Sequence, residues 1–155
     1  MEKELTFLVV LDDSKEIFNA LRYAARRTAR TNGRVALLYT FETLEFSHWK
    51  AVEDIAEIEL RDEAESKIKE YENYILSFSP NKPKKFIMKG DRIECIVEFL
   101  NANKFISNFI LASSTTKSGS DPLINAFAVK QSSKIRVPIT IIPSTLTEEE
   151  IDNLS

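Results

Sequence analysis

A hydroxyl-rich loop is the stretch of this sequence whose residue types are best suited to hold a ligand. It leads to a helix start at Asp121 and Pro122, and its polar residues are Ser113, Ser114, Thr115, Thr116, Lys117 and Ser118. A loop that enters a helix offers free backbone N–H groups to an anion, and hydroxyls and a cation add further donors. Close approach of backbone to phosphate favours glycine, and the loop contains none between Ala112 and Ser118.

Two interpretations of this loop remain open. In the first, the hydroxyls and the lysine bind an anion or another polar ligand. In the second, the loop is solvated, Asp121 caps the next helix and Pro122 takes the first helical position. We favour the second, because anion sites at helix starts depend on the backbone contacts that glycine allows.

Other residues capable of chemistry have simpler explanations. Asp12 and Asp13 could bind Mg²⁺ beside a triphosphate, but capping of the next helix by Asp13 or Ser14 explains them without a ligand. His48 is the only histidine, and zinc needs several ligands, so we expect no metal site. Cys95 lies near a helix start, which would lower its pKa, but without a histidine partner we expect an inert residue.

Composition excludes several classes of protein. The chain has 155 residues, typical of one domain, and a formal net charge of -3, which argues against a nucleic-acid or membrane-surface binder. One cysteine cannot form an internal disulfide, and no signal-peptide pattern is present, so we expect a cytoplasmic protein. No apolar run approaches the roughly 18 residues of a membrane span.

Apolar runs alternate with helical periods along the chain. The predicted strands are residues 5–11, 34–41, 84–88, 105–111 and 137–142. Strict alternation of this kind predicts a single doubly wound α/β domain with a parallel sheet and right-handed crossovers. We assign residues 1–144 to this domain and residues 145–155, which include Glu148, Glu149 and Glu150, to an acidic C-terminal tail.

The helical segments carry recognisable start and stop signals. Gly33 is the predicted C-terminal stop of the first helix, and Asp91 the predicted cap of the third. Residues 51–78 carry apolar residues at a sustained helical period, beginning with Val52 and Ile55, and form one long amphipathic helix or two.

The sequence resembles the universal stress protein family. The resemblance rests on FLVVLDDSKEIFNALRYAARRTARTNGRVALLYTFE at the start, Gly90 and Asp91 before the third helix, and the segments FILAS and VPITIIP. It implies a flavodoxin-like five-stranded parallel sheet of strand order 3-2-1-4-5, and a dimer in which the last strands of two chains meet.

The nucleotide signature of that family is altered in this chain. Members that bind ATP carry Gly-x2-Gly-x9-Gly-Ser/Thr after the fourth strand, and counting back from Pro138 places these positions on Ala112, Thr115, Asn125 and Ala126. All three glycines are therefore absent. The residues that the resemblance assigns to a nucleotide, if the site is retained, are Asp12, Thr40, Ala112, Ser113, Thr115, Thr116, Asn125 and Ala126.

Two functions are consistent with these features. The first is a non-enzymatic stress-response or regulatory domain that acts as a homodimer, with unidentified protein partners, a degenerate nucleotide pocket and no cofactor. The alternative is an ATP- or AMP-binding regulator that uses Mg²⁺ and the hydroxyl-rich loop, with or without slow ATP hydrolysis. A mature hydrolase is not expected, because no general base, arginine finger or Gly-Lys-Ser/Thr motif is visible.

The last strand is the predicted dimer interface. In the order 3-2-1-4-5 it lies at the edge of the sheet, where unpaired backbone groups invite another chain. The side chains that would meet across a two-fold axis are Val137, Ile139, Ile141 and Ile142. In the competing arrangement, the tail after Pro143 folds back and covers this edge within one chain.

Overall fold

A five-stranded parallel sheet forms the centre of the molecule. The structure is a computed structural model that describes residues 4–43, 49–114, 122–130 and 132–155. Its strands are β1 (Thr6–Val10), β2 (Arg34–Phe41), β3 (Lys84–Lys89), β4 (Asn108–Ala112) and β5 (Ile139–Ile142). They lie in the order β3-β2-β1-β4-β5, and every adjacent pair is parallel. The predicted fold class and strand order are therefore confirmed.

Helices cover both faces of this sheet. They are α1 (Ile17–Ala29), α2 (Lys50–Leu76), α3 (Arg92–Ala102), α4 (Pro122–Asn125) and α5 (Glu148–Leu154). Buried residues of α1, α2 and α5 form one core layer, and those of α3 and α4 form the other. Both layers need apolar strands, which is why every residue of β1 is buried.

Two strands begin two or more residues later than the sequence predicted. Residues 103–106 form a turn in which the Ile106 N–H donates to the Asn103 carbonyl, so β4 starts at Asn108 rather than at Phe105. Phe105 is 40% exposed. At β5, Pro138 has no N–H, and its carbonyl accepts from Phe109, so the strand starts at Ile139.

The turn before α1 also differs from the prediction. Neither Asp13 nor Ser14 caps the helix: Glu16 occupies the cap position and makes no side-chain cap bond. Instead the Asp12 carboxylate accepts hydrogen bonds from the Ser14 N–H (2.9 Å) and Ser14 hydroxyl (2.5 Å), which closes a local turn. Asp91 does cap α3, as predicted, by accepting the Glu94 N–H at 3.0 Å.

Gly33 is required by close packing. After α1 ends at Ala29, the left-handed residue is Asn32 (φ 56°), not Gly33. Gly33 is buried, and a Cβ atom there would overlap the carbonyl oxygen of Leu5, which accepts the N–H of Arg34 at 3.0 Å.

Gly33→Ala is expected to lower the free energy of unfolding by about 1–3 kcal/mol, because the start of β1 must move away from the new methyl group. Urea denaturation followed by circular dichroism measures this difference. Arg30→Ala, on the exposed turn nearby, is the control and should stay within about 0.5 kcal/mol of wild type. Equal midpoints for Gly33→Ala and wild type would contradict the packing argument.

Helix α2 is a single uninterrupted helix of 27 residues. Its second half packs on the sheet through Ala64, Ile68, Tyr71 and Ile75. Val52 and Ile55 do not continue that buried face: they are 47% and 59% exposed. The sequence period located the apolar residues, but it did not reveal that those in the first half of the helix lie on the side turned away from the sheet.

The segment 145–155 contains a packed helix where the sequence indicated an acidic tail. Thr147 and Glu150 form a capping box, each side chain accepting the other's N–H at 3.2 Å. Ile151 is fully buried in the core layer of α1. Asp152 accepts two hydrogen bonds from Arg22, at 2.7 and 2.8 Å. Helix α5 packs against α1, and β5 has β4 as its only strand neighbour in the part of the chain that the structure describes.

Candidate functional site

The carboxyl ends of β1 and β4 meet at the position where open α/β sheets bind ligands, because the strand order reverses there. The space at this point has a volume of about 10 Å³, enough for one water molecule. Asp12, Ser14, Ala112 and Leu123 contribute to its lining. Two predicted nucleotide positions, Asp12 and Ala112, are therefore brought together around a nearly filled space.

Asp12 is occupied by contacts within the chain. One oxygen of its carboxylate holds Ser14, and its carbonyl oxygen accepts a hydrogen bond from the Tyr71 hydroxyl at 3.1 Å. Burial, followed by the charges of Asp13, Glu70 and Asp12, raises the pKa of Tyr71. Tyr71 therefore stays a neutral donor, which locks the end of β1 to α2.

Ser113 joins the ends of two neighbouring strands. Its N–H donates to the Ile142 carbonyl at 2.9 Å, and its hydroxyl oxygen accepts the Ser144 N–H at 2.9 Å. The hydroxyl also lies 3.4 Å from the Ile142 carbonyl, to which it donates. Ser113 is the first polar residue of the loop, and its N–H and hydroxyl therefore extend the pairing of β4 with β5 and are not left for a ligand.

A larger cleft lies beside this point, over the ends of β2 and β3. Its volume is about 360 Å³, and it is lined by Thr40, Phe41, Glu42, Gly90, Asp91, Arg92, Ile93, Pro122 and Leu123. Leu123 also lines the small space at Asp12, so its side chain stands between the two. Thr40, the predicted adenine position, is 9% exposed at the cleft wall.

The ionisable groups of the cleft do not favour phosphate. The charged residues that line the cleft are two acids, Glu42 and Asp91, and one base, Arg92. Because Asp91 already accepts the Glu94 N–H, it also occupies the start of α3. A second anion at this helix start would meet the Asp91 carboxylate.

The remaining predicted nucleotide residues lie elsewhere. Ala126 is 5% exposed and packs in the core layer of α3 and α4, and Asn125 is half-buried in the last turn of α4. Thr115 and Thr116 are outside the described residues. The sequence analysis did not identify Leu123, which lines both the small space at Asp12 and the larger cleft beside Thr40. The available signal was its place as the first apolar residue after Pro122.

Two further side chains carry shifted pKa values. The Asp13 carboxylate, 3.3 Å from the Lys67 ammonium, raises the pKa of Lys67, so that lysine stays charged. Burial raises the pKa of Cys95, with the charges of Glu98 and Asp91 acting in the same direction. The predicted effect of the helix start on Cys95 is therefore outweighed, and the thiol stays protonated.

The predicted dimer residues differ in what they offer to another chain. Ile141 is 39% exposed, whereas Ile142 is 4% exposed and already packs against the α1 side of the core. Val137 and Ile139 are half-buried against the opposite core layer. Of these four residues, Ile141 presents the most exposed apolar surface.

Among the described residues, no three His, Cys, Asp or Glu side chains come together in a group that could hold a metal ion. The described helices also include none with the length and apolar character that crossing a membrane requires.

The family model of the universal stress proteins matches residues 5–105, about two-thirds of the chain. This chain belongs to the universal stress protein family. The matched region ends before β4, so the segment with the altered glycine positions lies beyond it. No curated protein matches the sequence.

Solved universal stress proteins share this fold over most of the chain. UspA from Lactobacillus plantarum is 15% identical with a TM-score of 0.72, covering 90% of this chain and 98% of its own. A family member from Burkholderia pseudomallei is 16% identical with a TM-score of 0.65, covering 93% and 99%. A universal stress protein in complex with cAMP is 11% identical with a TM-score of 0.62, covering 89% and 95%. At these identities the likeness shows the fold alone.

Proposed function

We propose that this universal stress protein is a non-enzymatic stress-response or regulatory domain of the cytoplasm, that it acts as a homodimer through β5, and that it works through protein partners. Its nucleotide pocket has lost the part that would hold a triphosphate. The observation that carries this proposal is the nearly filled space between Asp12, Ala112 and Leu123, about 10 Å³ in volume.

Three features support the loss of triphosphate binding. The hydroxyl and N–H of Ser113 are used in strand pairing, and the Asp12 carboxylate holds Ser14. Alanine at position 112, threonine at 115 and asparagine at 125 each carry a Cβ where ATP-binding members of the family have glycine. The carboxylates of Glu42 and Asp91 line the adjoining cleft, where phosphate would be repelled.

The pKa values of one lysine and one cysteine, residue types that can act as nucleophiles in enzymes, support the assignment as a non-enzyme. Lys67 stays an ammonium ion beside Asp13, and the Cys95 thiol is buried and protonated at neutral pH. Neither group has the lowered pKa that activates a lysine or cysteine for attack.

ATP is expected to bind with a dissociation constant no tighter than about 1 mM, which corresponds to roughly 4 kcal/mol. Titration calorimetry with and without Mg²⁺ measures this affinity, and micromolar binding by the wild type would contradict the proposal. A variant with glycine at positions 112, 115 and 125 is the matched comparison. A gain in its affinity identifies the loop backbone as the limiting feature, whereas no gain identifies the Leu123-filled space.

A nucleotide-binding regulator is the second candidate. The 360 Å³ cleft beside Thr40 lies within the size range of small-molecule sites, and one fold relative was solved with cAMP. A ligand with one phosphate, such as AMP, needs less space than ATP in the filled region where a triphosphate would lie. Calorimetry with AMP and cAMP tests this candidate, and release of inorganic phosphate from ATP-Mg²⁺ tests for slow hydrolysis.

A further inference from the structure

The first half of α2 carries an apolar surface that the described part of the chain leaves exposed. Trp49, just before the helix, is 67% exposed, and three aliphatic side chains follow at intervals of three residues. Val52 is 47% exposed, Ile55 59% and Ile58 60%. We call these four residues the outer α2 patch. Residues three apart on a helix are neighbours, so the three aliphatic side chains form a continuous stripe.

This stripe points away from the sheet. At 100° per residue, Ile55 lies roughly 160° around the helix axis from Tyr71, which faces the sheet. The opposite face of the same helical turns is fixed by two contacts. The Lys89 ammonium lies 3.1 Å from the Glu57 carboxylate. The Arg61 guanidinium lies over the Phe41 ring, 5.2 Å from the ring centroid. The outer α2 patch therefore cannot turn inward without breaking them.

The length of α2 explains why the patch is left uncovered by residues 4–43, 49–114, 122–130 and 132–155. A helix of 27 residues is about 40 Å long, whereas the longest strand, β2, has 8 residues and spans about 26 Å. The excess lies at the start of α2, because the residues that pack on the sheet are in its second half. Single exposed apolar residues are normal on a protein surface, but a contiguous group of this size is typical of an interaction site.

The charges around the patch are mostly acidic: residues 49–62 contain five carboxylates and two cations, Lys50 and Arg61. Glu53, Asp54, Glu59 and Asp62 have no ion-pair partner within the described part of the chain. Arg61, a cation of the same segment, is paired with Glu57 at 3.3 Å. An occupant of the patch must therefore bring both apolar side chains and positive charge.

We propose that the outer α2 patch is the docking site for a basic amphipathic helix of a partner protein. This proposal rests on the part of the proposed function that assigns protein partners, and it supplies the chemistry of one. Apolar residues of the partner would cover Val52, Ile55 and Ile58, and its lysines or arginines would face Asp54 and Asp62. A second copy of this chain is disfavoured because the same carboxylates would face one another, and an anionic membrane would repel them.

The test uses a fluorescein-labelled peptide of leucine and lysine arranged as an amphipathic helix, about 18 residues long so that it can be helical. Fluorescence anisotropy measures its binding to wild type, to the double variant Ile55→Ser/Ile58→Ser, and to Leu154→Ser. Leu154 is 63% exposed on α5 and is the matched control. We expect the double variant to weaken binding at least about tenfold, or 1.4 kcal/mol, and Leu154→Ser to stay within about twofold.

A second pair of substitutions keeps the apolar stripe intact. Asp54→Lys/Asp62→Lys should also weaken binding of the leucine–lysine peptide, and a leucine–glutamate peptide should not bind the wild type. Circular dichroism verifies that each variant is folded. Equal binding of the leucine–lysine peptide by wild type and both double variants would overturn the proposal.

Two other outcomes would overturn it in favour of a different occupant. Self-association that Ile55→Ser/Ile58→Ser abolishes would make the occupant a second copy, and binding to phosphatidylcholine vesicles that the same variant abolishes would make it a lipid surface. Dimerisation through β5 and ATP affinity are measured on the same variants. Loss of the docking proposal is therefore distinguishable from failure of the proposed function.

Discussion

Replacing Ile141 with lysine is expected to convert the proposed homodimer into monomers. Ile141 is 39% exposed on β5, an edge strand with β4 as its strand neighbour. In a two-fold pairing of β5 with its copy, the substitution brings one ammonium group from each chain to the apolar contact. Lysine on an edge strand also opposes strand pairing. We expect the dimer dissociation constant to rise at least about 100-fold, or 2.7 kcal/mol.

Ile141 is the position that separates assembly from folding. Ile142 is 4% exposed and belongs to the core beside α1, so a charge there would unfold the chain as well as disrupt a dimer. Sedimentation velocity at micromolar concentration measures the oligomeric state. Leu154→Lys, on exposed surface of α5, is the control and should sediment like the wild type. A monomeric wild type, or an Ile141→Lys variant that remains dimeric, would rule out pairing through β5.

The sequence was sufficient to predict the architecture because the strands are buried on both faces. Leu8 and Val9 are 0% exposed, and continuous apolar runs of this kind occur in parallel sheets covered by helices on both sides. The ends of the strands were predicted less accurately. Phe105 is as apolar as the residues of β4, and only the turn at Asn103 and Ile106 separates it from the strand.

The candidate site was predictable in position but not in shape. Asp12 follows the end of β1, and Ala112 is the last residue of β4. Because β1 and β4 are parallel neighbours, the sheet must bring these two residues together. The filling of the space between them depends on Leu123, whose direction is set by packing of α4 on the sheet. The use of Ser113 depends on Ser144, 31 positions away. The Ser113–Ser144 contact has no local sequence signal, and the place of Leu123 after Pro122 does not specify which space its side chain fills.

Periodicity and local electrostatics failed where burial decided the outcome. The apolar period of α2 includes Val52 and Ile55, but a period does not specify which face another element covers. The start of α3 favours a thiolate at Cys95, but burial, the largest influence, raises the pKa of that thiol. Composition likewise described residues 145–155 as acidic without revealing the buried Ile151.

The C-terminal helix contributes to stability through one buried side chain. Ile151→Ala is expected to lower the free energy of unfolding by about 2–5 kcal/mol, because Ile151 is 0% exposed and its removal leaves a cavity against α1. Leu154→Ala, three residues later and 63% exposed, should change the free energy by no more than about 0.5 kcal/mol.

Urea denaturation at pH 7 is the measurement, and the pH matters because α5 is also held by charge. The hydrogen bond from Arg22 lowers the pKa of Asp152, so the stabilisation from this contact is present at neutral pH and is lost as the pH falls through that lowered value. At pH 7 the ion pair is intact in both variants, and the difference between them reports packing. Equal stabilities of Ile151→Ala and Leu154→Ala would mean that residues 145–155 behave in solution as the acidic tail that composition indicated.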